Sequence, residues 1–246
     1  SSVVIGVNGE AVLSSESTST YLTLGGNGAL TVGPGGSLTL MDSFWIGNKD
    51  GGESVLTIDG GTVVFGHFIA GNGGPSRIIL KDGTLQRQYF ADFQDVCMTQ
   101  CMLGYAWNGT STLEIRGGTF NMSGTKAGDS LYVGRNADGT ICQTGGRYLC
   151  GNYLALGLNS GFKGIYNLYD GEVAFSGRSL LEGCSIGSGG YGEFNIYGGT
   201  VTAANGRFQL SDTSTAFGKL RLCGGRLQIY PFTKDNGATT RDNMFI

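Results

Sequence analysis

The sequence predicts an all-β chain wound as a right-handed parallel β-helix, a solenoid of about eight to nine coils with three short strands per coil. Three observations predict it. Glycine supplies 46 of 246 residues, about 19% against a usual ~7%. Gly-Gly or Asp-Gly pairs recur, with second glycines at Gly36, Gly61, Gly83, Gly118, Gly146, Gly171, Gly199 and Gly225, a mean spacing of 27 residues. A second anchor, an aliphatic residue followed by a small one, keeps step 11 to 14 residues ahead of each pair, from Leu24-Gly25 to Leu210-Ser211. Two anchors in phase along a chain mark a repeat architecture.

The same composition excludes other classes. Collagen needs glycine at every third position and abundant proline, whereas proline here numbers only 3. Hydrophobic residues make up 40% of the chain, too many for a flexible linker. No apolar run reaches the ~18 residues of a membrane-spanning helix. The net charge is −3 with 16 basic residues scattered singly, which gives nucleic acid no electrostatic footprint. The chain reads as a single solenoid domain over residues 1–246, a mature form or a fragment of a longer protein.

Each coil is read from its alternation, since a strand with one buried face repeats every two residues. The first strand offers two inward columns. One runs Leu22, Phe44, His67, Cys101, Leu131, Leu154, Cys184 and Phe208; the other runs Leu24, Ile46, Ile69, Leu103, Val133, Leu156, Ile186 and Leu210. In this register His67, the only histidine, is a core residue between Phe44 and Cys101. The second strand points inward through residues such as Leu56, Ile78, Leu113, Ile141, Tyr166 and Phe194, and the third through Leu38, Val63, Leu85, Phe120, Tyr148, Val173 and Val201. Such faces are buried only when coils stack ~4.8 Å apart, like residue over like. The longest coil carries an insertion around residues 86–100, where a short helix or side loop projects.

The segments SVLTIDGGTVVFG and GEFNIYGGTVTAA, within the coils Ile46-Gly47 to Val63 and Ile186-Gly187 to Val201, resemble the autotransporter-associated β-strand repeats of bacterial surface proteins, a parallel β-helix, pectin-lyase-like solenoid. The resemblance covers nearly the whole chain. It implies an extracellular or cell-surface location and a service as stalk, adhesin or passenger domain.

β-Helix enzymes mostly act on polysaccharides, through side chains on an outward face. The Asn-Thr-Asp, Gly-His-Gly and Arg-Ile-Lys segments of polygalacturonase-like enzymes do not occur, and Asp59, Glu114, Asp170, Glu172 and Glu193 fall in different columns. The richest local set is Asp82, Asp92 and Asp95 with Arg87 and Lys81 beside the insertion. No Cys-x-x-Cys pair suggests a metal, so no cofactor, no metal and no catalytic residue is expected. Of six cysteines, Cys101, Cys150 and Cys184 read as inward, and Cys97 and Cys142 lie near adjacent coils as a candidate disulfide. Asn108 and Asn121 open glycosylation-type Asn-x-Ser/Thr triplets.

The outward column of the first strand reads Thr23, Trp45, Phe68, Met102, Tyr132, Ala155, Ser185 and Gln209. Its four large members, Trp45, Phe68, Met102 and Tyr132, form a stripe that is a candidate contact for a protein partner or a glycan, or is covered by the insertion. The solenoid ends, with Val3 and Ile5 at one and Met244, Phe245 and Ile246 at the other, are candidates for end-to-end contact, because an uncapped strand layer invites pairing. The expected function is a non-catalytic extracellular structural protein, an adhesin stalk or filament subunit that self-associates through its ends or its stripe. The alternative is a polysaccharide-binding or polysaccharide-degrading β-helix.

Overall fold

A computed structural model describes residues 2–48, 52–90, 100–106, 109–123, 130–175, 183–203 and 207–229. Among them there is no helix, and the strands form one continuous system in which every strand-to-strand pairing is parallel. The chain is a β-solenoid of about seven turns, where the glycine spacing suggested eight or nine coils. Among the described residues, the layer containing Ser2–Ile5 and Glu10–Leu13 and the layer containing Phe217–Leu222 and Arg226–Ile229 pair on one side only. Residues 91–99, the heart of the expected insertion, lie outside the described residues.

Three parallel sheets form the walls. The first sheet starts with Ser2–Ile5, continues through 21–24, 43–46 and 67–70 and ends with Gly183–Ile186 and Arg207–Leu210. The second and third take the next two stretches of each coil, and the chain passes between them without losing its ladder. Ser54–Asn72 runs as one strand through all three walls. Residues such as Leu56, Ile78, Leu113, Ile141, Tyr166 and Phe194 pair in register and are 0% exposed. Each fully buried side chain of this size contributes about 2 kcal/mol, and stacking makes the contribution recur every coil. An aromatic file runs through the core: Phe44 on Phe68 at 5.2 Å, Phe120 on Tyr148 at 4.9 Å, Tyr166 on Phe194 at 4.7 Å.

Corners repeat as faithfully as walls. After the first sheet the chain turns at Gly47, Gly71, Gly104, Gly134, Gly157 and Gly187, with φ between 66° and 78°. At Gly134 a Cβ would meet the Lys163 carbonyl oxygen at 2.2 Å, so glycine is required there by both φ and space. The same corners carry amide ladders, Asn27 to Asn8 at 2.7 Å, Asn72 to Asn48 at 3.1 Å and Asn159 to Asn136 at 2.7 Å. One wall position is polar in an otherwise aliphatic column. Gln143 is fully buried; its amide donates to the carbonyls of Gly145, Gly146 and Glu172, and its oxygen accepts from the Tyr166 hydroxyl at 2.5 Å.

The expected register fails in one coil. Phe68, not His67, pairs with Phe44, and Ala70 pairs with Ile46. The corner before it explains the slip. Met41 and Asp42 separate Leu40 from Ser43, whereas Gly66 alone separates Phe65 from His67. A one-residue shift exchanges the faces of a strand. The true anchor of this coil is therefore Ala70-Gly71, with Gly71 in the left-handed region, and not Ile69-Ala70.

Candidate functional site

The corrected register changes the outward stripe. It now reads Trp45, Ile69, Met102 and Tyr132, and Phe68, expected outside, lies in the core with 0% exposure between Phe44 and Phe65. Leaving that phenyl in water would have forfeited about 2 kcal/mol. Ile69 and Met102 stand on the outer side of the first sheet yet are 0% exposed. The Arg135 guanidinium donates to the Met102 sulfur at 2.9 Å and lies 5.4 Å from the Tyr105 ring. Trp45 is half-buried and its indole N–H donates to the Ser43 hydroxyl at 3.0 Å. Tyr132 is half-buried, meets Tyr153 edge to face at 6.5 Å, and has its phenol pushed up by burial. The four side chains are thus not an open apolar strip; the middle of the stripe is covered.

The displaced histidine joins a buried polar corner that the alternation did not foresee. His67 Nδ1 lies 3.5 Å from Asp42 Oδ1, and the two side chains are 5% and 2% exposed. That distance is too long for a good hydrogen bond, so the contact is attraction through space. Arg87 continues the inward column of Phe65 and is buried, its Nε donating to the Gly66 carbonyl at 2.9 Å. Burial pushes the imidazole below its ordinary value; Asp42 pulls it up and the Arg87 charge adds to the depression. A neutral imidazole beside a carboxylate has the composition of a general base. Both side chains are enclosed, and the pair packs the corner.

Several outward carboxylates are held by cations. Glu114 accepts from Arg77 Nε at 2.5 Å and from Arg116 Nε at 2.9 Å, Glu172 accepts from Arg147 Nε at 2.9 Å, and Glu193 lies 3.0 Å from Arg221. Asp59 meets Lys81 at 2.9 Å, while Asp82 and Asp170 each accept the next residue's backbone N–H at 2.7 Å. Among the described residues no group of three or more His, Cys, Asp or Glu side chains gathers as metal ligands would. Asp92 and Asp95 lie outside the described residues.

Cysteines divide as their columns suggest. Cys101, Cys150 and Cys184 are buried, and burial pushes the Cys184 thiol well up. Cys142 is a free thiol on the outer face of the second wall, raised by burial and by the Glu114 charge. Cys97, the other half of the expected Cys97–Cys142 disulfide, lies outside the described residues.

The open ends remain the least finished surfaces. Val3 is 37% exposed, and Ile5, Ala11 and Leu13 are only partly buried. Their counterparts one layer in, Leu22, Leu24, Leu30 and Val32, are between 0% and 5% exposed. At the other end Leu210, Leu220, Leu227 and Ile229 are likewise partly buried. Met244, Phe245 and Ile246 lie outside the described residues.

Wall, corner and column together define a β-solenoid repeat protein. No family model, curated protein or solved structure matches the chain.

Proposed function

We propose that this chain is a non-catalytic structural protein of the cell surface or extracellular space, a rigid β-solenoid that joins copies end to end. The observation that carries the proposal is the apolar cross-section at the open layers. Val3, Ile5, Ala11 and Leu13 occupy columns that are sealed one coil further in. Their strands also present one unpaired edge of N–H and C=O groups, a template for another layer. Such an end differs from the opposite end, so the contact is head to tail and propagates as a filament rather than closing. The resemblance to autotransporter-associated repeats supports the surface location. The polysaccharide-degrading alternative draws less support, since Asp59, Glu114, Glu172 and Glu193 are each paired with a cation and the middle of the stripe is covered.

Sedimentation velocity and electron microscopy of the full chain test this. The expected result is end-joined particles whose length grows with concentration, and a Leu13→Lys variant that melts like the parent but stays single. A parent that is monomeric at every concentration, or a variant that joins as readily, overturns the proposal.

A further inference from the structure

The corner between the first and second walls varies in length, and one such variation leaves a cleft. Ten positions separate Leu156 from Tyr166 and Leu210 from Leu220, but eight separate Ile186 from Phe194. These residues stack in register, so the shorter loop sits between two longer ones. Its residues are Ser188, Gly189 and Gly190, which bring almost no side chain to fill the gap. Neither glycine accepts a substituent, because a Cβ would meet the carbonyl oxygen of Leu158 at 2.3 Å or of Asn159 at 2.2 Å. Elsewhere an equally short corner is filled: between Val133 and Ile141 the loop carries Arg135, which spreads over Tyr105 and Met102.

The resulting cleft is about 260 Å³ and is lined by Ser160, Phe162, Lys163, Tyr191, Thr215 and Phe217 beside the glycine floor. Its walls are two coils apart, about 10 Å centre to centre, so the space between them is one coil thick. That admits one flat ring and little more, and the volume is below the ~300 Å³ at which drug-sized sites begin. Tyr191 and Phe217 stack at 5.2 Å with planes 12° apart, and Phe217 is 54% exposed. The Tyr191 hydroxyl donates to Glu193 at 2.8 Å, and Glu193 is held in turn by Arg221. The platform is therefore fixed before any ligand arrives. Around it, Ser160 and Lys163 line one wall and Thr215 the other, all three exposed.

We propose that this cleft binds a single pyranose ring, the terminal or a branching sugar of a glycan. A pyranose has an apolar C–H face to lay on an aromatic ring and a rim of hydroxyls for the polar wall. The cleft offers both. A purely aromatic ligand would leave Ser160, Thr215 and Lys163 without use, and a larger one would not fit the thickness. Thr215 and Phe217 belong to the last described layer, which is also the layer an end-to-end contact would meet, so sugar binding is measured separately from assembly.

A ring of about a dozen heavy atoms at ~0.3 kcal/mol per atom implies a Kd of about 1 mM. Saturation-transfer NMR with the methyl glycosides of glucose, galactose, mannose and N-acetylglucosamine, each at about 10 mM, is matched to that range. The expected result is transfer to at least one glycoside, lost in both Ser160→Trp and Thr215→Trp, which plug the cleft from opposite walls. Each variant is checked for unchanged far-ultraviolet dichroism, and the two together cover the failure of one to fold. Absence of transfer with every glycoside, persistence of transfer in a folded variant, or preferential binding of phenylalanine amide overturns the proposal. The parent's own sedimentation behaviour separates this outcome from that of filament formation.

Discussion

His67 shows how a solenoid handles a polar residue that its repeat has nowhere to put. The single-glycine corner at Gly66 advances the strand by one position, Phe68 takes the core column, and the imidazole is left at the bend against Asp42. Its pKa is depressed chiefly by burial, which has a stability consequence. In the unfolded chain imidazole titrates near 6.5, so on acidification the unfolded state takes up the proton first. The stability that neutral His67 contributes is complete above that value and is lost as pH falls through the lower folded one. Urea unfolding between about pH 7.5 and 5.5 should therefore show a falling midpoint in the parent and a flatter profile in His67→Gln. Coincident profiles would remove His67 from the explanation.

Between strands, outward ion pairs reinforce a register that the core already sets. Glu114 on the strand Ser111–Ile115 receives Arg77 from the coil before and Arg116 from its own corner. Partial burial raises the Glu114 pKa, but the hydrogen bonds and charges of Arg116 and Arg77 outweigh it and the net direction is down. Its contribution is present above the ordinary carboxylate value and is lost as pH falls through the lowered one. Because both arginine partners are solvent-exposed, Glu114→Gln should cost only about 1 kcal/mol near neutrality. By about pH 3 the parent and variant should converge in chemical denaturation.

The walls were legible in the sequence at this scale because alternation reports which face of a strand is buried. Leu56 to Phe194 in the second wall and Leu38 to Val201 in the third stack as their spacing predicts. Corners were less legible. Ile69-Ala70 fits the aliphatic–small pattern, yet what the turn needs after the strand is left-handed backbone, and Gly71 supplies it. Arg87 sits in an inward column because its guanidinium finds the Gly66 carbonyl, a compensation no hydropathy pattern reveals. The Tyr191–Phe217 cleft arises from loop lengths in three neighbouring coils, so no single coil announces it, although the 10, 8, 10 spacing was there to be counted.

At the scale of the whole molecule each coil touches only its neighbours, so stability is local and the ends are weakest. Amide hydrogen exchange should be slowest in the middle coils, along Ser76–Arg87, Gly139–Cys150 and Lys163–Phe175. It should be fastest in Ser2–Ile5, Glu10–Leu13 and Arg226–Ile229, which pair on one side only among the described residues. Uniform protection from end to end would show instead that the stack opens as one unit. The walls and the corners also obey different rules of change. Wall residues answer to the coils above and below, so an altered wall must be matched twice, but the loops after Gly157, Gly187 and Ser211 differ in length without disturbing the strands that follow. The solenoid thereby acts as a graduated ruler. Its marks stand one coil apart, and segments of different size can be set at chosen marks while the measuring edge stays the same.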